Sequence, residues 1–159
     1  MENKEIKEGM PAPDFELEGT EGSKIKLNNY IGKWVVLYFY PKDNTPGCTK
    51  EACSFRDSNT EFSSLNAVII GISFDNIKSH QKFKEKLGLP FILLTDEDKK
   101  VSELYGTFAE KNLYGRKFFG IVRSTFLIDP EGKIKKIWRK VKVDGHIEDV
   151  LNHLKRISS

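Results

Sequence analysis

The segment "WVVLYFYPKDNTPGCTKEACSFRD", residues 34–57, contains the strongest indication of the fold. Its first seven residues are apolar on both faces and rich in β-branched and aromatic side chains, which is typical of a central strand covered on both sides. A second run of this kind, "AVIIGIS" at 67–73, follows a polar segment of helix length from about 46 to 63. Strand, helix and strand at this spacing predict a βαβ unit with two parallel strands.

The segments on either side of this unit extend the α/β pattern. Glycine stops and mixed polarity predict helices at 76–88 and 99–106, with a short strand at 91–96 between them. The run "STFLIDPEGKIKKIWRK", 124–140, reads as a hairpin around a Pro-Glu-Gly turn, and "DFELEGTEGSKIKL", 14–27, as a smaller one. A C-terminal helix is predicted to bury a stripe of Ile147, Val150, Leu151, Leu154 and Ile157.

This order of elements predicts a thioredoxin-like α/β fold, with a central mixed sheet flanked by helices and an N-terminal β-hairpin extension. The sequence shows no internal repeat. It also shows no linker, because the glycine-containing stretch at 115–120 is too short and too aromatic to be one. Residues 108–120 are expected to form loops. We therefore expect one domain over residues 1–159.

The composition excludes several classes of protein. The 26 basic and 23 acidic residues are scattered and give a net charge of +3, so no block of one sign predicts binding to nucleic acid or to a membrane surface. The start of the chain is charged and no apolar run approaches the ~18 residues of a membrane span. We expect a cytoplasmic protein, where two cysteines indicate redox chemistry or metal binding more often than a structural disulfide.

Cys48 follows a helix-start signal. Thr45 is the expected N-cap, Pro46 the first helical residue, and Cys48 the third. Unpaired backbone N–H groups and the positive end of the helix dipole favour an anion there, so the position suits a thiolate, and a nearby arginine would add to the effect. Gly47 has no side chain, which would let a small substrate approach the backbone.

Cys53 lies five residues further along the same predicted helix. On an intact helix, that separation places the two Cα atoms about 8.5–9 Å apart. A disulfide requires about 4.4–6.8 Å, so the two cysteines cannot bond until the helix unwinds locally. We expect a helix that runs through both cysteines while their sulfurs are unbonded.

Other kinds of site are weaker readings of this pattern. Two cysteines do not complete a tetrahedral zinc site, and His80, His146 and His153 show no ligand spacing, so we expect ordinary surface histidines. A disulfide oxidoreductase of thioredoxin type is disfavoured because the cysteines are spaced C-x4-C and not C-x-x-C. A redox-responsive chaperone or binding module remains an alternative.

The segment "YPKDNTPGCTKEA", 40–52, resembles the active-site segment of peroxiredoxins, with Pro41, Thr45 and Cys48 at the positions of the family pattern. The second cysteine five positions on is similar to the bacterioferritin comigratory protein or peroxiredoxin Q subfamily. The resemblance runs from "EGMPAPDFEL" through "YGRKFFGIVRSTFLIDPEGKI" to the C-terminal helix, which is nearly the whole chain.

The resemblance implies a thiol-dependent peroxidase. Cys48 would be the peroxidatic cysteine, whose thiolate attacks a peroxide and becomes a sulfenic acid. Cys53 would be the resolving cysteine, which closes an intramolecular disulfide with Cys48. Thr45 and Arg123 would hold the sulfur and the peroxide oxygens.

The same resemblance implies the remaining parts of the site. Backbone N–H groups of Gly47 and Cys48 would bind the peroxide, and Pro41 would close over the sulfur. Hydrogen peroxide and organic hydroperoxides would be substrates, thioredoxin or a similar dithiol the reductant, and the protein a monomer without metal or organic cofactor. Lys42 and Arg116 are expected to be solvated surface charges.

Overall fold

The structure is a computed structural model, and it describes residues 5–158. The helices and strands follow in this order: β1 (Glu16–Gly19), β2 (Lys24–Lys26), a short 3₁₀ helix (Leu27–Tyr30), β3 (Trp34–Phe39), α1 (Pro46–Ser64), β4 (Ala67–Ser73), α2 (Ile77–Leu87), β5 (Ile92–Thr95), α3 (Lys100–Leu104), β6 (Phe108–Leu113), β7 (Arg116–Ile121), β8 (Ser124–Ile128), β9 (Ile134–Arg139) and α4 (His146–Ser158).

A seven-stranded mixed sheet forms the centre of the fold, in the order β2-β1-β5-β4-β3-β8-β9. Strand β3 pairs directly with β4 in parallel, and α1 connects the two strands, so the predicted βαβ unit is confirmed. Strand β8 runs antiparallel to the other side of β3, and the N-terminal hairpin joins the sheet through β5. This is the thioredoxin-like arrangement that the sequence predicts, with β3 and β4 in the interior of the sheet.

The alternation of side chains along β3 explains why the run was apolar throughout. Val36 and Tyr38 point into a core that also contains Phe55 of α1 and residues of α2 and α4. Val35, Leu37 and Phe39 point into a second core on the opposite face, beneath α3. Because both faces of β3 are covered, water reaches neither, and the loop that follows the strand is set on a rigid base.

The segment 108–120 differs from the expected loop, because it contains the antiparallel hairpin of β6 and β7. Its turn residues Tyr114 and Gly115 both have positive φ, 52° and 78°, as a two-residue hairpin turn requires. Phe118 and Phe119 are adjacent in sequence and both exposed, 44% and 64%, so the strand lacks the alternation by which strands are recognised.

The predicted stripe of α4 is confirmed except at its end. Ile147, Val150, Leu151 and Leu154 are buried against the sheet, whereas Ile157 is 39% exposed because the last helical turn extends beyond the core. Within residues 5–158, no helix combines the length and apolar character needed to cross a bilayer.

A glycine in the middle of the sheet provides a test of this packing. Gly71 of β4 lies between Tyr38 and Leu93 on the neighbouring strands, and a Cβ atom there would come within 2.9 Å of both side chains. Gly71→Ala is therefore expected to lower the free energy of unfolding by about 1–3 kcal/mol through overpacking.

Urea denaturation measures this change, and Gly120→Ala is the matched control. A Cβ at Gly120 on β7 would meet its nearest atom at 3.5 Å, which is ordinary contact, so that variant should stay within about 0.5 kcal/mol of the parent protein. Equal stability of the two alanine variants would contradict the packing described here.

Candidate active site

The loop after β3 places Cys48 in the first turn of α1, where its side chain is 2% exposed. Thr45 has the extended backbone of an N-cap residue, φ −85° and ψ 151°, and Pro46 begins the helix as expected. The prediction of Thr45 as the N-cap residue is therefore confirmed, and its hydroxyl donates to the Lys42 carbonyl at 2.8 Å. The Thr45 side chain therefore leaves the first backbone N–H groups of α1 to other acceptors.

Arg123 reaches the sulfur from the start of β8, which lies beside the end of β3. It directly precedes β8, which pairs with β3, and this pairing carries its side chain to the start of α1. Its Nη2 donates to Cys48 Sγ at 3.3 Å. A guanidinium at this distance stabilises a thiolate by charge and by hydrogen bonding.

Gly47 makes this approach of Arg123 possible. A Cβ atom on Gly47 would lie 3.1 Å from Arg123 Nη2, tighter than ordinary van der Waals contact. The sequence predicted that the missing side chain at Gly47 would make room for a substrate. In the structure, the space beside Gly47 is taken by the Arg123 guanidinium.

Glu51 belongs to this site, although the sequence analysis did not single it out. Arg123 Nη1 donates to Glu51 Oε1 at 2.6 Å, and the Glu51 side chain is fully buried. Burial raises the pKa of Glu51 to about 7, against the opposing effect of the Arg123 charge. The signal available in the sequence was its spacing of three from Cys48, which puts both on one helix face.

Cys48 belongs to a buried cluster that is rich in aromatic side chains. Tyr38 stacks on Phe55 with ring centroids 4.7 Å apart, in the same core cluster as Cys48. Burial, with contributions from Glu51 and Cys48, raises the pKa of Tyr38 well above its ordinary value, so the phenol keeps its proton. Among the described residues, neither Tyr38 Oη nor Glu51 Oε2 has a hydrogen-bond partner.

Cys53 lies one to two turns beyond Cys48 on the same continuous helix. Both thiols are free, and Cys53 is half-buried. The expectation of an intact helix through two unbonded cysteines is confirmed.

Comparison with known proteins identifies the architecture around these cysteines. Residues 9–137 match the model of the AhpC/TSA family. The chain is 54% identical to peroxiredoxin Bcp of Bacillus subtilis, over 96% of this chain and 98% of that protein. The chain belongs to the Bcp-type peroxiredoxins of the AhpC/TSA family. It is therefore an enzyme that reduces peroxides.

Solved structures of related proteins agree with this peroxiredoxin in fold. The bacterioferritin comigratory protein of Xanthomonas campestris, studied for alkyl peroxide reduction, has a TM-score of 0.87 and 43% identity, with 91% of this chain and 92% of that chain covered. A cysteine-to-serine mutant of PrxQ from Xylella fastidiosa has a TM-score of 0.92 and 38% identity, with 98% and 99% covered.

The other residues of the sequence pattern lie around this centre in different settings. Pro41 follows β3 and is half-buried, whereas Lys42 and Arg116 are exposed, as expected of solvated charges. Lys111 of β6 was not anticipated: burial and the nearby Arg123 charge lower its pKa, so the β6–β7 hairpin borders the site of this peroxiredoxin.

The expectation of ordinary surface histidines is wrong for His80 and His146. His146 is buried with its Nε2 2.8 Å from Thr125 Oγ1, and burial lowers its pKa to about 4, which makes it neutral. His80 is fully buried beside Asp43. The sequence did carry a signal, since His80 stands three residues from both Ile77 and Phe83 on the inward face of α2. His153 is half-buried against Trp138.

Glu51 gives the stability of this peroxiredoxin a pH dependence. Its pKa is raised to about 7 on folding, so its contribution to stability is full below its unfolded value of about 4.3 and is lost as the pH rises through about 7. Glu51→Gln removes this loss. Between pH 4.5 and pH 8 the free energy of unfolding of the variant should therefore rise relative to the parent, by up to about 3 kcal/mol.

Urea unfolding of the reduced protein across this pH range measures the difference. Glu131→Gln, at a side chain that is 79% exposed, is the matched control and should track the parent at every pH. Parallel pH curves for Glu51→Gln and the parent would show that the carboxyl does not titrate in this range.

Proposed function

We propose that this peroxiredoxin reduces hydrogen peroxide and organic hydroperoxides at Cys48 and is recycled through a disulfide with Cys53. The observation that supports this most directly is the position of Cys48 Sγ, buried in the first turn of α1 with Arg123 Nη2 at 3.3 Å. Helix dipole, free N–H groups and guanidinium all favour the thiolate at that point.

The first step is an in-line displacement on the peroxide. The Cys48 thiolate attacks the terminal oxygen of R–O–OH, an S–O bond forms and the O–O bond breaks. The sulfur is oxidised to a sulfenic acid and the peroxide is reduced to an alcohol, or to water when the substrate is hydrogen peroxide, after its leaving oxygen takes up a proton. The Arg123 charge stabilises the negative charge that moves from sulfur to the leaving oxygen.

Three residues position the peroxide in this proposal. The backbone N–H groups of Gly47 and Cys48 donate to its oxygens at the start of the helix. The Thr45 hydroxyl donates its hydrogen bond to the Lys42 carbonyl, so its lone pairs are available to accept a hydrogen bond from the peroxide O–H. Pro41, at the end of β3, covers the sulfur and limits the access of water.

The second step requires a change of shape. The thiolate of Cys53 attacks the sulfenic sulfur of Cys48, the S–S bond forms, and the S–O bond breaks to release hydroxide, which takes up a proton to become water. Since about 8.5–9 Å separates the Cα atoms of residues five apart on a helix, α1 must unwind between them before the sulfurs meet.

A dithiol reductant, thioredoxin or a similar protein, then exchanges with the disulfide and restores both thiols. We further propose a single domain over residues 1–159, a cytoplasmic location and a monomer. The resemblance to the subfamily supports the monomer, whereas the exposed Phe118 and Phe119 of β7 weigh against it, and sedimentation of the reduced protein decides between them.

The two cysteines should fail in different ways when they are replaced. Cys48→Ser is expected to abolish peroxide consumption, because a hydroxyl does not ionise at neutral pH. Cys53→Ser should complete one round of sulfenic acid formation and then lose turnover supported by thioredoxin. Peroxide-dependent oxidation of thioredoxin, together with trapping of the sulfenic acid by a dimedone reagent, measures both outcomes.

Unimpaired turnover in Cys48→Ser would exclude this mechanism. Two further assays separate the alternatives. An oxidoreductase of thioredoxin type would reduce insulin disulfides without peroxide. A redox-responsive chaperone would protect client proteins from aggregation, and would lose that protection when both cysteines are serine.

Arg123→Lys tests the role of the guanidinium. One ammonium group cannot reach Cys48 Sγ and Glu51 Oε1 with the two-pronged geometry of Arg123, so sulfenic acid formation should slow about a hundredfold. Stopped-flow measurement of the reaction with peroxide gives the rate constant. The control is Arg116→Lys at an exposed position, and equal rates for the two lysine variants would contradict the assignment.

A further inference from the structure

A buried cluster of polar side chains lies at the base of the loop between β3 and α1. Asp43 of that loop and His80 of α2 are in direct contact, with His80 Nδ1 2.7 Å from Asp43 Oδ2 and side-chain exposures of 0% and 1%. Tyr40 donates to Asp43 Oδ1 at 2.6 Å, and Ser79 donates to Asp43 Oδ2 at 2.8 Å. Nothing in the proposed chemistry at Cys48 uses these groups directly.

The partners of the imidazole define its protonation. His80 Nε2 lies 3.0 Å from the Leu94 carbonyl oxygen, which only accepts, so Nε2 carries a proton. His80 Nδ1 faces Asp43 Oδ2, and its next neighbour is the Tyr40 hydroxyl at 3.3 Å. Because the Tyr40 proton points to Asp43, the Tyr40 oxygen presents lone pairs to the ring. If Asp43 is ionised, both oxygens that face Nδ1 are acceptors, and Nδ1 then carries a proton as well.

The partners of Asp43 agree with that assignment. Without counting His80, the Tyr40 hydroxyl donates to Oδ1 and the Ser79 hydroxyl to Oδ2, and both hydrogen bonds favour the ionised carboxylate. Burial first, and then Tyr38 and Asp43, raise the pKa of Tyr40 well above its ordinary value, so the phenol remains a donor. A buried carboxylate that accepts three hydrogen bonds has its charge compensated.

The cluster also contains the ligand types of a metal site, since Asp43, Asp75 and His80 bring ligand atoms within 4.8 Å of one another. Asp75 Oδ2, however, accepts from the Asp43 backbone N–H at 2.9 Å and from Ser73 Oγ at 2.6 Å. A metal would have to displace these donors and take the proton from Nδ1. Hydrogen bonds among the side chains account for the arrangement without one.

The cluster fixes the loop at its middle residue. Asp43 is held through its side chain by α2 and through its backbone N–H by Asp75, which follows β4. Asn44, the next residue, adopts a left-handed conformation with φ 65°, a turn that costs energy unless its neighbours hold it. Thr45 follows directly, so the anchored Asp43 determines where the first turn of α1 begins.

We propose that Asp43 and His80 form a buried carboxylate–imidazolium pair that positions the loop carrying Pro41 and Thr45 over Cys48. His80 is thus a positioning residue for peroxide reduction, acting through Asp43 and the loop. The inference rests on the proposed roles of Cys48 and Thr45. It concerns residues 40–45 and α2, outside the segment between the two cysteines that has to unwind.

Nuclear magnetic resonance of the reduced parent protein tests the pair without reference to activity. In protein with ¹⁵N-labelled histidine at neutral pH, both ring nitrogens of His80 are expected to show directly bonded protons, whereas His146 shows one. Spectra of His80→Gln and His153→Gln assign the signals. A His80 nitrogen without a proton, or stoichiometric metal in the purified protein, would overturn the assignment.

The rate of sulfenic acid formation at Cys48 tests the positioning role. His80→Gln and Asp43→Asn should each lower the second-order rate constant with hydrogen peroxide by about tenfold to a hundredfold, because small misplacements of positioning groups have effects of that size. The double variant should be no slower than the slower single variant, since both changes break one unit. His153→Gln, at a half-buried histidine of α4, is the matched control and should react as the parent does.

The rates are measured at a temperature where circular dichroism shows each variant to be folded. Parental rates in the folded His80→Gln and Asp43→Asn variants would show that the pair only stabilises the fold, and would overturn the positioning role. Absence of sulfenic acid in the parent protein would instead refute the proposed function of Cys48, and the protonation of His80 would still be decided by its spectrum.

Discussion

The Arg123 guanidinium reaches Cys48 Sγ with one amino group and Glu51 Oε1 with the other, so two groups on one face of α1 share a single positive charge. Glu51 and Arg123 are 72 residues apart in sequence, and the antiparallel pairing of β8 with β3 brings them together. Because the pKa of Glu51 is about 7, a proton on its carboxyl leaves the full charge of Arg123 to the sulfur, and its loss divides that charge. The charge that Arg123 presents to Cys48 Sγ is thereby coupled to the protonation of the Glu51 carboxyl.

The helix that carries both cysteines lies between two firm attachments. Before it, hydrogen bonds from α2 and from the segment after β4 hold Asp43. Further along the helix, Phe55 and Phe62 are fully buried, and Arg56 donates to the Leu87 carbonyl at 2.8 Å. Within residues 48–53, Cys48, Glu51 and Ala52 are buried, and Arg123 binds the first two. Unwinding of this segment therefore has to break these contacts, while the attachments on either side of it can stay in place.

The sequence was sufficient where a residue's setting depends on its near neighbours. The unbroken apolar run of β3, the Thr-Pro start of α1 and the spacing of Cys48 and Cys53 are local patterns, and each predicted its element. Contacts made across the fold were not predictable in this way. In the sequence, Glu51 is one acid in a charged segment, and only the folded chain brings Arg123 to it. His80 likewise lies in a polar stretch, and only the fold places Asp43 beside it. The β6–β7 hairpin was missed because adjacent exposed phenylalanines hide the strand period.

In the proposed mechanism, the continuous helix through Cys48 and Cys53 also places two reactions of the Cys48 sulfenic acid in competition. Opening one helical turn breaks about four backbone hydrogen bonds, each worth roughly 0.5–1.5 kcal/mol. While the helix stays closed, Cys53 is out of reach and a second peroxide molecule has time to convert the sulfenic acid to the irreversible sulfinic acid. The propensity of residues 48–53 to remain helical thus sets how long the sulfenic acid is exposed to further peroxide before Cys53 reaches it. A helix made more stable there would yield an enzyme that is inactivated at lower peroxide concentrations, and a weaker one an enzyme that survives higher exposure.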